Sequence, residues 1–432
     1  MEKYKLKNGI NVLLYRVPHV NSFYISTIIK AGSLFEDKNE FGVSHLVEHY
    51  IMAGIKDFPT EIDLEDRFYS LNAYNNAFTL TKNIEVYSSA PYMYTAQIIE
   101  IIYNICLNPL FDPSRLKNIK DIIINEIKQK NVINSKIEDF FSNNVYKNLD
   151  NINFTNKNNT SIIRKIKFDQ IVSYWERHFI PENMSLLVVG NINIKDVKKK
   201  IDSTFGAHEY TGKKNKVKLI DISIDNFKNN NIAFKNFNIS RSIFTQIIIP
   251  IEHKDISAIE EDILIEIATG ILVNSRNSRL KIYLRNKNGL IYDINLVFVK
   301  NINFHYVNLN FSCMPNNFDI VIRYIMYALL EFKNKGITKE EFLVKKKHYI
   351  GSKLMEFDFP DNVLDWCQWV LLNLDHIYTP DDEITLIKKI EYKNTNKNIM
   401  NMLDVDKMSF IINGDIDSKK YKNFIQSIIN NS

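Results

Sequence analysis

Glycine is scarce in this chain, at 12 of 432 residues. So few glycines leave no room for extended glycine-rich phosphate loops. Cysteine is scarcer: Cys106, Cys313 and Cys367 lie far apart and form no CxxC pair. A sparse, odd set is no disulfide framework and fits a reducing cytosol, so the expected location is cytoplasmic. No apolar run approaches the length of a membrane span. The opening Met1-Glu2-Lys3-Tyr4-Lys5-Leu6 is followed by no apolar stretch of the signal-peptide kind. An excess of one charge is also missing, since 55 basic and 50 acidic residues leave +5. That near balance gives no case for a nucleic-acid or membrane partner. The densest basic run, Lys198-Lys199-Lys200, reads as a solvated helix face.

Apolar residues are plentiful at 45%, with 24% charged, the balance of a soluble globular protein with a large core. The length exceeds one ordinary core. Two stretches repeat. Met184-Ser185-Leu186-Leu187-Val188-Val189-Gly190-Asn191 is a strand ending in a turn, and Met408-Ser409-Phe410-Ile411-Ile412-Asn413-Gly414-Asp415 repeats it at an offset of 224. The apolar strand Ser22 to Ile29 recurs as Ser242 to Ile249 at an offset of 220. A period this long means domain duplication. Strands are predicted near 10–16, 22–31, 75–88 and 184–190, and helices near 41–54, 62–71, 92–106, 113–130 and 167–178. Their irregular mixture predicts an α+β fold of two homologous layered domains. The expected boundaries are 1–215, a polar linker at 216–232, and 233–432.

His45-Leu46-Val47-Glu48-His49 falls in one of the predicted helices. Residues four apart share a helix face, so His45 and His49 can reach one ion. Zinc takes imidazole nitrogen readily. Glu48 lies near the same face and suits a general base that takes a proton from a water at the metal. HxxEH is the inverted order of the HExxH zinc-peptidase signature. The plainer alternative is a pair of structural histidines beside an acid. A third ligand should be an acid on another helix. Between Ser114 and Lys130, Glu126 continues the stripe Leu116-Ile119-Ile123. A carboxylate on a buried face needs a metal or cationic partner; the alternative is a helix that turns Glu126 to solvent.

With these residues the sequence resembles the pitrilysin and insulinase family of zinc peptidases (M16), which includes the mitochondrial processing peptidase. It is most similar to small bacterial members of this length. The family motif is HxxEH followed, about seventy-six residues later, by Glu; here 76 residues separate His49 from Glu126. Ala31-Gly32-Ser33-Leu34-Phe35-Glu36 and Gly42-Val43-Ser44 resemble the family's run into the zinc helix. Asn76-Ala77-Phe78-Thr79 resembles its Asn-Ala-x-Thr strand. Ser278-Arg279-Leu280, then Arg285 and Tyr292, resemble segments of its second half.

The resemblance implies two homologous domains of the LuxS- and processing-peptidase-like metallohydrolase fold. It implies Zn2+ held by His45, His49 and Glu126, with Glu48 as the base. Asn76, Ala77, Phe78 and Thr79 would form a strand edge to which an extended peptide adds through main-chain bonds. Arg285 and Tyr292 would hold that peptide from the second half, which shows Leu264-Ile265-Glu266-Ile267-Ala268 where an HxxEH would stand and should carry no metal. The implied function is a metalloendopeptidase or oligopeptidase acting on unfolded or extended peptides inside a closed clamshell chamber, with peptide processing or leader removal as its extension. The implied assembly is a homodimer, or a heterodimer with a second subunit of the family. The alternative is a noncatalytic structural or partner subunit. One departure stands out: the family carries a second acid seven residues before the metal glutamate, and here that position is Ile119. The glycine-rich loop of the noncatalytic mitochondrial subunit is also absent, replaced by Asn274-Ser275-Arg276-Asn277.

Overall fold

A computed structural model describes residues 1–37, 39–129, 132–147, 160–210, 224–251, 257–300 and 305–430. Strand-forming stretches rich in Ile, Val and Leu build two sheets. The first comprises β1 (Glu2–Lys5), β2 (Asn11–Arg16), β3 (Ser22–Ile29), β4 (Tyr74–Thr79), β5 (Ile84–Pro91) and β6 (Met184–Gly190), in the order β1-β2-β6-β3-β5-β4. The second comprises β7 (Ile232–Lys235), β8 (Ile243–Ile251), β9 (Ile291–Lys300), β10 (His305–Cys313) and β11 (Ser409–Asn413), in the order β7-β11-β8-β10-β9. Leaving out β1, the two orders are the same, and so are the directions. β2 runs parallel to β6 as β7 does to β11, and every other pair is antiparallel.

The repeat holds to the residue. Ser185 opposes Ile28 in the first sheet, and Ser409 opposes Ile248 in the second. These are the offsets of 224 and 220 read from the sequence. Both copies end in a glycine with positive φ, Gly190 at 138° and Gly414 at 156°. At each, the neighbouring strand's backbone occupies the space a Cβ needs: the Cα of Phe23 lies 2.5 Å from it at Gly190, and the Cα of Ile243 lies 3.0 Å from it at Gly414. Glycine alone meets both demands without strain. The α+β duplication is therefore written in the strand register.

The helices are α1 (Val43–Met52), α2 (Glu61–Ser70), α3 (Thr95–Leu107), α4 (Leu116–Gln129), α5 (Val132–Val145), α6 (Thr160–Lys165), α7 (Phe168–His178), α8 (Ile194–Ser203), α9 (Ala258–Thr269), α10 (Phe318–Lys335), α11 (Lys339–Glu356) and α12 (Pro360–Asn373), with further helices at Pro380–Lys389, Tyr392–Met402 and Ser418–Asn430. No helix among the described residues is long and apolar enough to cross a membrane.

The chain falls into two compact units, each drawn from separate stretches of the sequence. One unit is Met1–Val132, Asn151–Ile220 and Met355–Asp382; the other is Ile133–Asp150, Asp221–Leu354 and Glu383–Ser432. Each half of the chain lends the other a segment. In the first unit α12 packs on β6 and β2, where β6 is buried on both faces. Gln368 of α12 donates to the buried carboxylate of Glu85 at 2.8 Å. The Lys3 ammonium donates to the Val370, Leu371 and Leu374 carbonyls at the end of α12, where a cation suits the helix dipole. In the second unit Phe140, Phe141 and Val145 of α5 pack with Phe227, Ile248, Tyr306 and Ile411. Of the expected linker at 216–232, residues 216–223 lie outside the described residues, and Phe227 is fully buried in the second unit's core.

α7 closes one side of the first unit against α1. Its Tyr174 hydroxyl donates to the Ala31 and Gly32 carbonyls at 3.1 Å, and its ring stacks on His178 at 4.2 Å. Burial holds the His178 imidazole down from 6.5 to about 4. The unfolded chain therefore takes up a proton before the folded one does. The stability this neutral ring contributes is complete above pH 6.5 and is lost as pH falls from 6.5 toward 4, about 3 kcal/mol over the full interval. Denaturant midpoints measured across that interval should fall with acid in the wild type and fall less in His178→Phe. Equal slopes would assign the acid sensitivity to other groups.

Candidate metal centre

α1 is amphipathic in the sense the site needs. Val43, Leu46, Val47, Tyr50 and Ile51 are buried, while His45, Glu48 and His49 emerge on the opposite, partly exposed face. Its N-terminus is fixed by Glu36, whose carboxylate accepts from the N–H groups of Gly42 and Ser44, both at 2.9 Å, and from the Ser44 hydroxyl at 2.5 Å. An anion at a helix N-terminus satisfies otherwise orphaned donors and complements the dipole. Burial pushes the Glu36 carboxyl up, and these three donors oppose that shift. The loop before it lies flat on residues 80–83, where a Cβ on Gly32 would sit 2.3 Å from the Leu80 carbonyl oxygen. The C-terminal end of α1 is tied to the start of α4 by Arg115, which donates to the carbonyls of Ala53 at 2.5 Å and Pro59 at 2.6 Å. Glu36 and Arg115 were not singled out from the sequence. An acid followed by Gly and Ser ahead of a helix was a capping signal for the first; Arg115 left none.

These constraints bring three donors together. The Nε2 atoms of His45 and His49 are 3.3 Å apart. Glu126 of α4 places Oε2 at 3.5 Å from the first and Oε1 at 3.6 Å from the second. In a tetrahedral zinc site with metal–ligand distances of about 2.0–2.2 Å, ligand atoms are separated by about 3.3–3.6 Å. Each of the three observed separations matches that edge length, the two to Glu126 through different carboxylate oxygens, and two imidazoles with one carboxylate are a donor set zinc accepts. Glu126 is 42% exposed, so burial of a lone carboxylate, expected from the stripe on α4, is not what gives it its role. Its distance from the two histidines does. His45, Glu48 and His49 likewise place potential ligand atoms within 4.8 Å of one another.

Glu48 stands beside the triangle. Its Oε2 accepts the Thr79 hydroxyl at 2.6 Å. Burial pushes the carboxyl above its ordinary value, the Thr79 hydroxyl and His49 draw it down, and the Glu126 charge raises it. Thr79 ends β4, the last strand of the first sheet. Ala77 and Thr79 lie on the side of β4 that faces α1, and Asn76 and Phe78 alternate to the other. The Ala77 N–H donates to the side-chain oxygen of Asn76 at 2.9 Å. Ile119 is buried in the apolar core and brings no carboxylate.

The second unit carries its own arrangement. Leu264, Ile265, Ile267 and Ala268 are buried, and the Glu266 carboxylate takes the Lys345 ammonium at 3.0 Å. Arg285 lies in the π-helical turn Lys281–Lys287, with its guanidinium 5.8 Å from the ring of Tyr292. Tyr292 is 84% exposed. Ser278 and Arg279 serve the fold. The Ser278 hydroxyl donates to the Val273 carbonyl, and Arg279 makes a two-pronged pair with Glu341 at 2.7 Å.

A duplicated α+β chain with an inverted histidine motif and a helix-borne glutamate defines a class of metallopeptidase fold, and known proteins agree. Residues 11–160 match the model of the insulinase family, peptidase family M16, and residues 165–348 match that of the peptidase M16 inactive domain. The chain belongs to the M16 peptidase family. It is similar to an uncharacterized zinc protease of Rickettsia bellii, with 28% identity over 47% of this chain and 49% of that one. A second, from Rickettsia felis, is 24% identical over 67% and 68%. The alignment thus spans about half of the first relative's length. Among solved structures, the first half of the periplasmic protease PqqL from Escherichia coli superposes with a TM-score of 0.79 at 16% identity, covering 100% of this chain and 96% of that one.

Proposed function

We propose that this chain is a zinc-dependent peptidase acting on unfolded or extended peptides. The observation that carries the reading is the convergence of His45, His49 and Glu126, whose histidine nitrogens lie 3.3 Å apart and each 3.5–3.6 Å from one oxygen of Glu126, with the Glu48 carboxylate beside them. Zinc bound there would polarise a peptide carbonyl and acidify a water. Glu48 would take the proton from that water and pass it to the leaving amine, a task that suits a carboxyl raised above its ordinary value by burial. The open edge of β4 supports recognition by strand addition, which reads main chain and is loose in sequence. Arg285 and Tyr292 would hold the peptide, the guanidinium on a carbonyl or carboxylate and the phenol as a donor.

Several finer points belong to the same proposal: a closed chamber, a homodimer or a pairing with a second family member, processing or leader removal as the physiological task, and a cytoplasmic setting. Three buried, unpaired cysteines are compatible with that setting. A noncatalytic partner role draws on Ile119 and on the name of the family model matched by residues 165–348. That match, however, lies outside the segment bearing His45 to Glu126.

The test is cleavage of a tryptic casein digest by the purified protein, followed by mass spectrometry. Cleavage should stop with a chelator and return with added zinc. Chelator-resistant cleavage, or none, would overturn the proposal.

A further inference from the structure

We propose that Thr79 keeps Glu48 off the metal and thereby holds the centre open for chemistry. The inference rests on the zinc-peptidase reading and assigns Thr79 as a positioning residue rather than a substrate contact. Its starting point is an ambiguity in the donor set. Glu48 precedes His49 on the same helix, and its carboxylate lies within 4.8 Å of both histidine nitrogens. It is therefore within reach as a fourth protein ligand. Four protein ligands make a closed, structural zinc site, whereas three leave a position for water and substrate. Residue type does not separate Glu48 from Glu126, since both are glutamates.

Their partners do separate them. Glu126 directs its two oxygens at the two histidines. Glu48 Oε2 accepts the Thr79 hydroxyl at 2.6 Å. A short hydroxyl donor to an anion is among the stronger hydrogen bonds a protein makes. The anchor itself is fixed, because Thr79 is paired with Ile84 across the β4–β5 ladder and β4 packs on α1. The carboxylate is thus held toward the sheet.

Thr79→Val removes the hydroxyl and keeps the β-branched shape; Thr79→Ser keeps the hydroxyl. Three readings are compared with wild type: the visible spectrum of the cobalt-substituted protein, zinc affinity by competition with a chromophoric chelator, and kcat and KM on the fastest-cleaved peptide of a casein digest. Thr79→Val should lower kcat about 10- to 100-fold, leave KM within about twofold, shift the cobalt spectrum as an added carboxylate ligand would, and hold zinc at least as tightly. Thr79→Ser should recover most of the lost turnover and the wild-type spectrum. An unchanged spectrum and kcat in Thr79→Val overturns the inference. So does an equal loss in both variants, or a raised KM at constant kcat, which marks a substrate contact. Wild-type protein that takes up no cobalt overturns the zinc-peptidase reading as well; a normal wild type with an unaffected Thr79→Val variant overturns the inference alone.

Discussion

Glu48→Gln should lose peptide cleavage by about 10²- to 10⁴-fold in kcat, the range a positioned general base contributes. The substitution is close to isosteric. Its amide oxygen can still accept the Thr79 hydroxyl that the carboxylate accepts at 2.6 Å, so the side chain should stay where it is. What it loses is the capacity to take a proton. KM should change little, because Glu48 is not assigned to holding the peptide. His49→Ala removes one corner of the donor triangle and should abolish activity by a different route, through loss of the metal. A Glu48→Gln protein that cleaves at the wild-type rate would remove Glu48 from the chemistry.

The second large effect concerns the fold. Gly190→Ala should destabilise the protein by about 3–5 kcal/mol, among the largest effects expected of a single methyl group. The new Cβ would lie 2.5 Å from both the Phe23 Cα and the Ser22 carbonyl oxygen. These are backbone atoms of β3, and neither can swing aside. Relief requires parting β3 from β6, the central pair of the first sheet. The φ of 138° adds strain at any residue bearing a Cβ. Gly414→Ala meets the equivalent strand at 3.0 Å, a contact that a shift of a few tenths of an ångström relieves, so its cost should be smaller. Thermal unfolding of the two variants should rank them in that order. Equal or reversed losses would contradict this ranking, by contact distance, of two glycines whose strand register makes them equivalent.

That equivalence shows what was legible in the sequence. The offsets of 224 and 220 between matching strands are the offsets of the observed register, because a strand buried on both faces leaves little freedom in its apolar pattern. α1 and α4 emerge at 43–52 and 116–129, inside the expected 41–54 and 113–130. The expected strand at 75–88 is instead the hairpin β4–β5, turned at Leu80 to Asn83 without a glycine to announce it. β1 was too short and too polar to register. The exchange of α5 and α12 between units was not legible at all. An amphipathic pattern tells that a helix has a buried face and is silent on which sheet will cover it.

At the site, His45, Glu48 and His49 were readable because one helix fixes their spacing. Glu126 was readable as an acid on an apolar stripe and from the 76-residue spacing of the family the sequence resembles; the burial argued from the stripe is not observed. Thr79 was found in the sequence for its strand, not for its hydroxyl. Its bond to Glu48 depends on how β4 meets α1, a tertiary fact with no local signature.

The most direct measurement is the zinc content of purified wild-type and Glu48→Gln protein after dialysis against metal-free buffer, by plasma mass spectrometry. One zinc per chain is expected in both, since Glu48 stands beside the metal and His45, His49 and Glu126 hold it. A wild-type protein that retains no zinc, or a Glu48→Gln protein that loses it, would contradict the assignment of these four residues.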